Sequence, residues 1–594
     1  MKVKFNQFKT KSTRNSDSKG SNIMKKNRKL TALLVAACMT VPMAATTFTV
    51  PMMASAGSIT INAPAGYGYS EFFVYQVFKG HYSSTTSKLA VTGWGDNINV
   101  TDFITALKGD STIGGDFSTV AVENSSATAT QVAEIIGAYG NDSVRANAFA
   151  RLAGANIKLG DSGDKKTKLD AYDSGNVGAN SGESKTISNL DDGYYVLVEL
   201  YAPSGGNYSN TARTLGLLNV VGGDITVSPK RSYPTIEKKI VEEDAVYDVA
   251  DYCIGDIVDF KITGTLPDTL DDYGAYYYLI TDTLGTEFDA PTAENVTVKV
   301  GDNTIDQDTD KNCRVNVSGN TITVSFEDIT AYTNVTSASK VEVTYSAKLN
   351  NQATVGETGQ TNTATLTYLC NPNIDYNPIT TDENVDVPAA KDNTNEEPNT
   401  ATTPGDVVKV LTYQLDIEKV DAQNSATKLA NAKFKLKNND DKYAQVTDGK
   451  ISGWGDETSA YEFVSNGSGI INIIGLDEGT YSLEETVAPE GYNVLPEEIT
   501  VVITANTQDN TSDPINNDTE NLTVQVNGGT AVEGLKDENN YTGVLKIQVA
   551  NNKGATLPST GGIGTKIFYI LGGTLVIGSG AALVIKKRMG KDEE

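Results

Sequence analysis

The sequence predicts an all-β chain of tandem antiparallel β-sandwiches, with some helix near the N-terminus. Three observations predict it. Glycine (54) and tyrosine (28) are abundant beside many Thr, Val and Asn, a composition that favours strands and turns. Apolar residues recur with period two in short runs, as in Ile322-Val324-Phe326 and Val341-Val343-Tyr345. Frequent turn signals separate these runs, which argues for antiparallel sandwiches rather than alternating strand–helix units.

The chain has 594 residues, with 48 basic and 75 acidic side chains and a net charge of −27. Residues 1–56 hold ten basic residues and one acid, and residues 562–594 hold five basic and three acidic, so removing both ends takes the net charge to −38. A body this acidic is soluble and self-repelling. It lacks the basic footprint that duplex binding needs, so no nucleic-acid partner is expected. The one histidine, His81, leaves almost nothing for a His-based nucleophile or a histidine metal cluster. Carboxylate pairs alone could serve a glycosidase, but no other feature supports a wall hydrolase. No cofactor and no metal site is expected. Asp306-Gln307-Asp308-Thr309-Asp310 begins like a calcium loop, yet Lys311 and Val317 occupy the places of the required glycine and glutamate.

From the N-terminus, Lys25, Lys26, Arg28 and Lys29 precede an apolar run from Leu30 to Val41, and Ala54-Ser55-Ala56-Gly57 closes it. This order reads as a secretory signal over residues 1–56, with Met24 an alternative start and Val35-Ala36-Ala37-Cys38 an alternative lipoprotein box. A first segment, 57–229, carries the strand Phe73-Val74-Tyr75-Gln76-Val77-Phe78 and helix-like stretches around Val132, Ile135 and Ile136 and over Arg145 to Leu152. A second segment, 230–385, opens at Ser232-Tyr233-Pro234 and holds the clearest alternation. It also holds Cys253, Cys313 and Cys370, two of which an exported chain can pair, with buried thiols the alternative. Residues 386–406 are polar and proline-bearing and read as a linker. A third segment, 407–555, is again strands and turns. Gly93-Trp94-Gly95-Asp96 recurs as Gly453-Trp454-Gly455-Asp456, read as turns with an aromatic anchor. In the tail, 557–594, the 19-residue apolar stretch Ile567 to Ile585 is long enough to span a bilayer, and Lys586, Lys587 and Arg588 hold its end inside. Immediately before it stands Leu557-Pro558-Ser559-Thr560-Gly561.

Several lysines fall in apolar registers. In Leu415-Asp416-Ile417-Glu418-Lys419, residues 415, 417 and 419 share one face, so Lys419 points at the core. The same parity aims Glu485 inward behind Tyr481 and Leu483, and Asn551 inward behind Ile547 and Val549. Ile236, Lys238 and Ile240 likewise share a face, so Lys238 rather than Lys239 turns inward. A buried unpaired ammonium is costly, and desolvation favours the neutral amine and the protonated carboxyl. A neutral amine held against an asparagine carboxamide is a nucleophile at its target, with a carboxylic acid to move the proton. The product is a Lys–Asn isopeptide bond and one ammonia.

The residues quoted carry a resemblance. Tyr481 to Tyr492, YSLEETVAPEGY, resembles the E-box of Cna B-type immunoglobulin-like domains in sortase-assembled pilins, which implies Lys419 and Asn551 as bond partners and Glu485 as the assisting acid. Gln360-Thr361-Asn362-Thr363 resembles the last strand of Cna A-type pilin domains, which implies a Lys238–Asn362 bond. Tyr278 to Leu284 resembles the strand that carries the catalytic aspartate of those domains, here Asp282, with Asp256 the alternative. Tyr195 to Gly205 resembles a degenerate E-box containing Glu199, and parity suggests a third pair, Lys79–Asn219. Val227-Ser228-Pro229-Lys230 resembles the pilin motif of backbone pilins, with Ser228 where tyrosine is usual, and implies Lys230 as acceptor. Leu557 to Gly561, the apolar span and the basic tail resemble the sorting signal of Gram-positive surface proteins, cleaved by sortase between Thr560 and Gly561.

Along almost its whole length the chain thus resembles a major (backbone) pilin. The resemblance implies a structural, self-cross-linking polymer subunit rather than a turnover enzyme. A pilus-specific class C sortase would join Thr560 of one copy to Lys230 of the next. The partners implied are other copies of the chain head to tail, minor or tip pilins, peptidoglycan through a housekeeping sortase, and a host or bacterial surface receptor. The place implied is the cell wall and surface pilus of a Gram-positive bacterium. An ancillary pilin or a monomeric wall-anchored adhesin is the alternative, and would need no acceptor at Lys230.

Overall fold

The computed structural model describes residues 57–554 apart from 64–69, 97, 141–142, 158–174, 180–181, 202–211, 243–244, 308, 357, 375, 377, 379–398, 506–521 and 538–539. The predicted signal 1–56, the motif Leu557 to Gly561 and the apolar span 567–585 lie outside the described residues. Among the described residues, no helix is long and apolar enough to cross a membrane. The described residues are mostly strand, with three α-helices among them near the N-terminal end, as the alternation and turn signals predict.

In the first segment the central strand Ser70–Ser83 lies between Lys88–Trp94 and Gly193–Tyr201, with Leu217–Val221 beyond the latter. Both faces of this sheet are covered, which is why 72–78 is nearly all apolar. Phe73, Tyr75 and Val77 meet Phe103, Val132 and Phe149 of the helices Val100–Gly109, Ser126–Gly137 and Ser143–Ala155. Phe72 and Val74 meet Ile59 and Ile61 of a small second sheet. Two helical stretches follow the sequence expectation, and the Val100–Gly109 helix is additional. The Ser126–Gly137 helix starts on a capping box, with Ser125 Oγ accepting from Thr128 N–H and the Thr128 hydroxyl accepting from Ser125 N–H. The Gly-Trp-Gly-Asp repeats, expected as turns, instead close strands: Gly93 and Trp94 end Lys88–Trp94, and Gly453 to Gly455 end Lys450–Gly455. Trp94 is buried and donates from Nε1 to Thr128 Oγ1 at 3.0 Å.

The second segment is a two-sheet sandwich. One sheet runs Ala245–Tyr247, Ile236–Glu242, Ile257–Thr265, Lys340–Leu349, Thr297–Val300 and Asn303–Thr304. The facing sheet contains Asp406–Leu411, Gln360–Leu369, Tyr278–Leu284 and Thr321–Phe326 as successive neighbours. Here the structure differs from the linker expectation at its C-terminal end. Thr400–Thr402 and Asp406–Leu411 both pair with Gln360–Leu369, so residues read as linker and as the start of the third segment complete the second segment's sheet. Ala401, Val408 and Val410 are buried there; the surrounding Thr, Pro and Asp mask this alternation in the sequence. Residues 386–398 lie outside the described residues.

The third segment's first sheet starts at Tyr413. Tyr413–Asp421 lies between Ile470–Leu476, antiparallel, and Val544–Asn551, parallel. The facing sheet centres on Lys433–Lys437, Gly479–Val487 and Ile499–Ala505. A close joint links it to the second segment. Ile254 N–H donates to the Gly475 carbonyl at 3.0 Å, and Lys450 Nζ donates to the Asn351 and Ala353 carbonyls at 2.9 and 2.8 Å. Gly255 has φ +105°, and a Cβ there would meet the Ser452 carbonyl oxygen at 2.4 Å, so only glycine allows this approach.

Candidate functional site

Two polar clusters sit inside the sandwiches of the second and third segments. Lys238, Asp282 and Asn362 are fully buried in the second, and Lys419 and Asn551 in the third with Glu485 almost so. These are the side chains that strand parity turns inward. In each case a largely apolar alternation carries the polar residue into the core, with Gln360 beside Asn362 and Asp421 beside Lys419 buried on the same parity.

In the second segment the cluster spans the two sheets. Lys238 and Tyr345 come from one sheet, Asp282 and Asn362 from adjacent strands of the other. Lys238 Nζ donates to both Asp282 oxygens at 2.7 and 2.8 Å and to Tyr345 Oη at 3.1 Å. The Phe260 and Tyr345 rings close over it at 5.0 and 5.2 Å to their centroids. Asn362 Nδ2 donates to Tyr345 Oη at 2.7 Å, and the Tyr345 hydroxyl donates to Asp282 Oδ2. Among the described residues, Asn362 Oδ1 is buried with no hydrogen-bond partner. Burial pulls the Lys238 amine below its ordinary pKa, with the Asp282 carboxylate opposing. Lys239, on the opposite parity, reaches Asp248 at 2.5 Å instead.

In the third segment the amine and the amide share one sheet. Lys419 pairs in register with Val549, two residues before Asn551 on the parallel neighbour. Lys419 Nζ contacts Asn551 Oδ1 and lies 3.3 Å from Glu485 Oε1, under the Phe434 ring. Asn551 Nδ2 donates to both Glu485 oxygens at 3.0 and 2.8 Å and to the Asn493 carbonyl at 2.8 Å. Leu495 N–H fixes Glu485 Oε2 at 2.8 Å, and the Tyr492 hydroxyl donates to Asp421 at 2.8 Å, so the loop after Glu485 is tied down beside the site. Burial again pulls the Lys419 amine below its ordinary pKa, with Glu485 opposing.

Other sequence candidates lie elsewhere. Asp256 is not with Lys238; it accepts from Cys253 N–H at 3.2 Å in a turn at the joint between the second and third segments. Burial first and the Asp477 carboxylate second push Asp256 up to about 6. Cys253 Sγ meets Asp477 Oδ1 at 3.2 Å and Tyr481 Oη at 3.6 Å in the same joint. Cys253, Cys313 and Cys370 are all buried and none is in a disulfide.

Lys79 and Asn219 are not brought together. Lys79 Nζ pairs with Asp96 at 2.8 Å at the surface, and Lys79 and Asn219 sit on opposite neighbours of the Gly193–Tyr201 strand. Bulges in the Ser70–Ser83 strand shift its register on both sides, so Val77 and Phe78 are both buried and the parity drawn from Tyr75 does not carry through to Lys79.

Glu199 holds a different partner. Its carboxylate takes Arg231 Nη2 at 2.5 Å, Arg231 Nε at 3.0 Å and Thr214 N–H at 3.1 Å, with the guanidinium over the Phe72 ring and both side chains only 1% exposed. Lys230, one residue earlier, is exposed in a strand-free stretch between Asp224–Val227 and Ile236–Glu242. Neither Tyr345 nor the Arg231–Glu199 pair was identified from sequence. Tyr345 sits in an apolar register like any core tyrosine, and nothing local links Arg231 to Glu199.

Residues 413–519 match the SpaA prealbumin-like fold domain, and residues 550–592 match the LPXTG cell wall anchor motif. The anchor match puts the protein at the cell wall of a Gram-positive bacterium. The trypsin-resistant surface T6 protein of Streptococcus pyogenes serotype M6 is 27% identical over 286 residues, 41% of this chain. The match spans about half of that relative, 48% of its length. Among solved structures, the pilus 2b backbone protein of group B streptococcus is 25% identical over 54% of this chain and 99% of its own, with a TM-score of 0.37. The T6 backbone pilin of serotype M6 Streptococcus pyogenes is 16% identical over 84% of this chain and 99% of its own, with a TM-score of 0.49. The full-length major pilin SpaD of Corynebacterium diphtheriae is 16% identical over 84% and 98%, with a TM-score of 0.42.

Proposed function

We propose that the protein is the major structural subunit of a covalent surface pilus, cross-linked internally by Lys238–Asn362 and Lys419–Asn551 bonds. A pilus-specific sortase joins the Thr560 carbonyl of one subunit to Lys230 of the next. The internal reaction needs no external catalyst. Burial favours the neutral amine, the amine attacks the carboxamide carbon, and Asp282 or Glu485 carries the proton toward the departing ammonia. Convergence of the groups in a dry interior replaces a bimolecular encounter. In the polymer, tension enters at Lys230 and leaves at Thr560, and the residues between each bonded pair are shielded from it. The first segment hangs off that load path.

The observation that carries the polymerisation reading is the contrast between two neighbouring lysines. Lys238 is fully buried against a carboxylate, whereas Lys230 is exposed outside any strand. An acceptor must be reachable by an enzyme, and a cross-linking lysine must be dry. The wall-anchor match at 550–592 supports Thr560 as the donor. Ser228, in place of the usual tyrosine, favours the second reading, an ancillary pilin or monomeric adhesin that uses no acceptor here. Co-expression with a pilus sortase distinguishes them. Boiled SDS samples of wild type should show a ladder of heavy species that Lys230→Ala removes. A ladder that survives Lys230→Ala moves the acceptor elsewhere, and no ladder from wild type with a competent sortase favours the adhesin.

A further inference from the structure

We propose that Tyr345 is a catalytic residue for the Lys238–Asn362 bond, passing a proton between Asp282 and the departing amide nitrogen. The inference rests on the reading of Lys238 and Asn362 as bond partners. Its basis is a gap in the second-segment cluster. Both Asp282 oxygens are taken up by Lys238 Nζ, at 2.7 and 2.8 Å. The nitrogen that must leave, Asn362 Nδ2, donates to Tyr345 Oη at 2.7 Å. In the third segment the equivalent nitrogen, Asn551 Nδ2, meets the acid directly, at 3.0 and 2.8 Å from the two Glu485 oxygens. The tyrosine hydroxyl therefore stands where the second segment's acid does not reach.

The hydroxyl touches every participant. It accepts from Lys238 Nζ at 3.1 Å and from Asn362 Nδ2, and it donates to Asp282 Oδ2. Asn362 Oδ1, the atom that gains charge when the amine adds, is buried and accepts no hydrogen bond from the described residues. Burial and the adjacent Asp282 push the Tyr345 hydroxyl well above the ordinary tyrosine range, so it remains an O–H donor.

The protons balance along this path. Of the three on the Lys238 ammonium, one passes to Asp282 and frees the lone pair. Nζ then adds to Asn362 Cγ, and the Cγ–Nδ2 bond breaks. Asp282 returns that proton through the Tyr345 hydroxyl to Nδ2, which leaves as ammonia; the second proton passes from Nζ to Asp282, and the third stays on the new amide. The tyrosine ends as it began.

The test uses the full chain, with peptide mapping of both cross-links during a chase after synthesis. Tyr345→Phe keeps the ring and removes the hydroxyl. The 238–362 cross-link should then form roughly 100-fold more slowly, while the 419–551 cross-link in the same molecules forms at the wild-type rate and reports folding. A 238–362 bond formed by Tyr345→Phe as fast as by wild type overturns the proposal. If Tyr345→Phe does not fold, replacement of Tyr345 by 3-fluorotyrosine keeps the shape and makes the hydroxyl more acidic. A changed 238–362 rate then supports proton transfer, and an unchanged rate overturns it. Wild type that never joins Lys238 to Asn362 refutes the bond assignment itself, a result distinct from any effect of Tyr345.

Discussion

In the third segment Lys419 and Asn551 stand on neighbouring parallel strands of one sheet, and Glu485 faces them from the other. In the second, Lys238 looks across the sandwich at Asn362 and Asp282. A bond in the first arrangement staples two adjacent strands; a bond in the second staples two sheets. The acid also differs in reach. Glu485 contacts both the amine and the amide, whereas Asp282 holds the amine and meets the amide through Tyr345. The chemistry requires only that amine, carboxamide and proton carrier converge in a dry place. It does not require that they come from fixed positions in the sandwich, and where the acid stops short a fourth group spans the distance.

The largest effect that can break this comparison is expected at Glu485, the acid that touches both the amine and the amide. Glu485→Gln should abolish the 419–551 cross-link and leave 238–362 intact, seen by peptide mapping. Lys419 and Asn551 are 132 residues apart in sequence. By the loop-closure reasoning used for disulfides, losing such a link costs about 5 kcal/mol, and the third segment's thermal transition should fall accordingly. A 419–551 bond that forms normally in Glu485→Gln would mean that direct contact with the acid is not what separates the two sites.

A smaller effect concerns the joint between the two regions. Asp256 rises to about 6 from an ordinary 3.8 because it is buried, with Asp477 adding to the shift. A carboxyl whose folded pKa is raised binds its proton more tightly when folded, so stability falls as pH climbs from about 4 through about 6 and is regained on acidification. The contribution is at most about 3 kcal/mol. Wild type should therefore gain more thermal stability between pH 7 and pH 5 than Asp256→Asn, whose joint is already uncharged at that position. Equal pH responses would show that Asp256 titrates normally and that the joint is looser than its hydrogen bonds suggest.

The sequence made the inward-facing lysines legible because strand parity is a local property. Residues 415, 417 and 419 share a face whatever their strand pairs with, and so do 236, 238 and 240. Lys79 shows where that rule ends. A bulge adds a residue to the strand, and parity counted from one side misassigns the other. Sheet membership was not legible either, since it depends on partners distant in sequence. The strand Asp406–Leu411 joins the second segment although its apolar run follows the polar stretch and reads as the start of the third. Tyr345 was hidden for a further reason. Its register is that of Val341 and Val343, and only the neighbouring strands reveal that its hydroxyl ends among polar groups.

The central claim, that the two clusters react as well as pack, is tested most directly by the mass of the folded full chain together with peptide mapping. The account predicts a chain lighter by two molecules of ammonia, with Lys238 joined to Asn362 and Lys419 joined to Asn551. A folded chain of unreduced mass that yields separate, unmodified Lys238 and Lys419 peptides would contradict it.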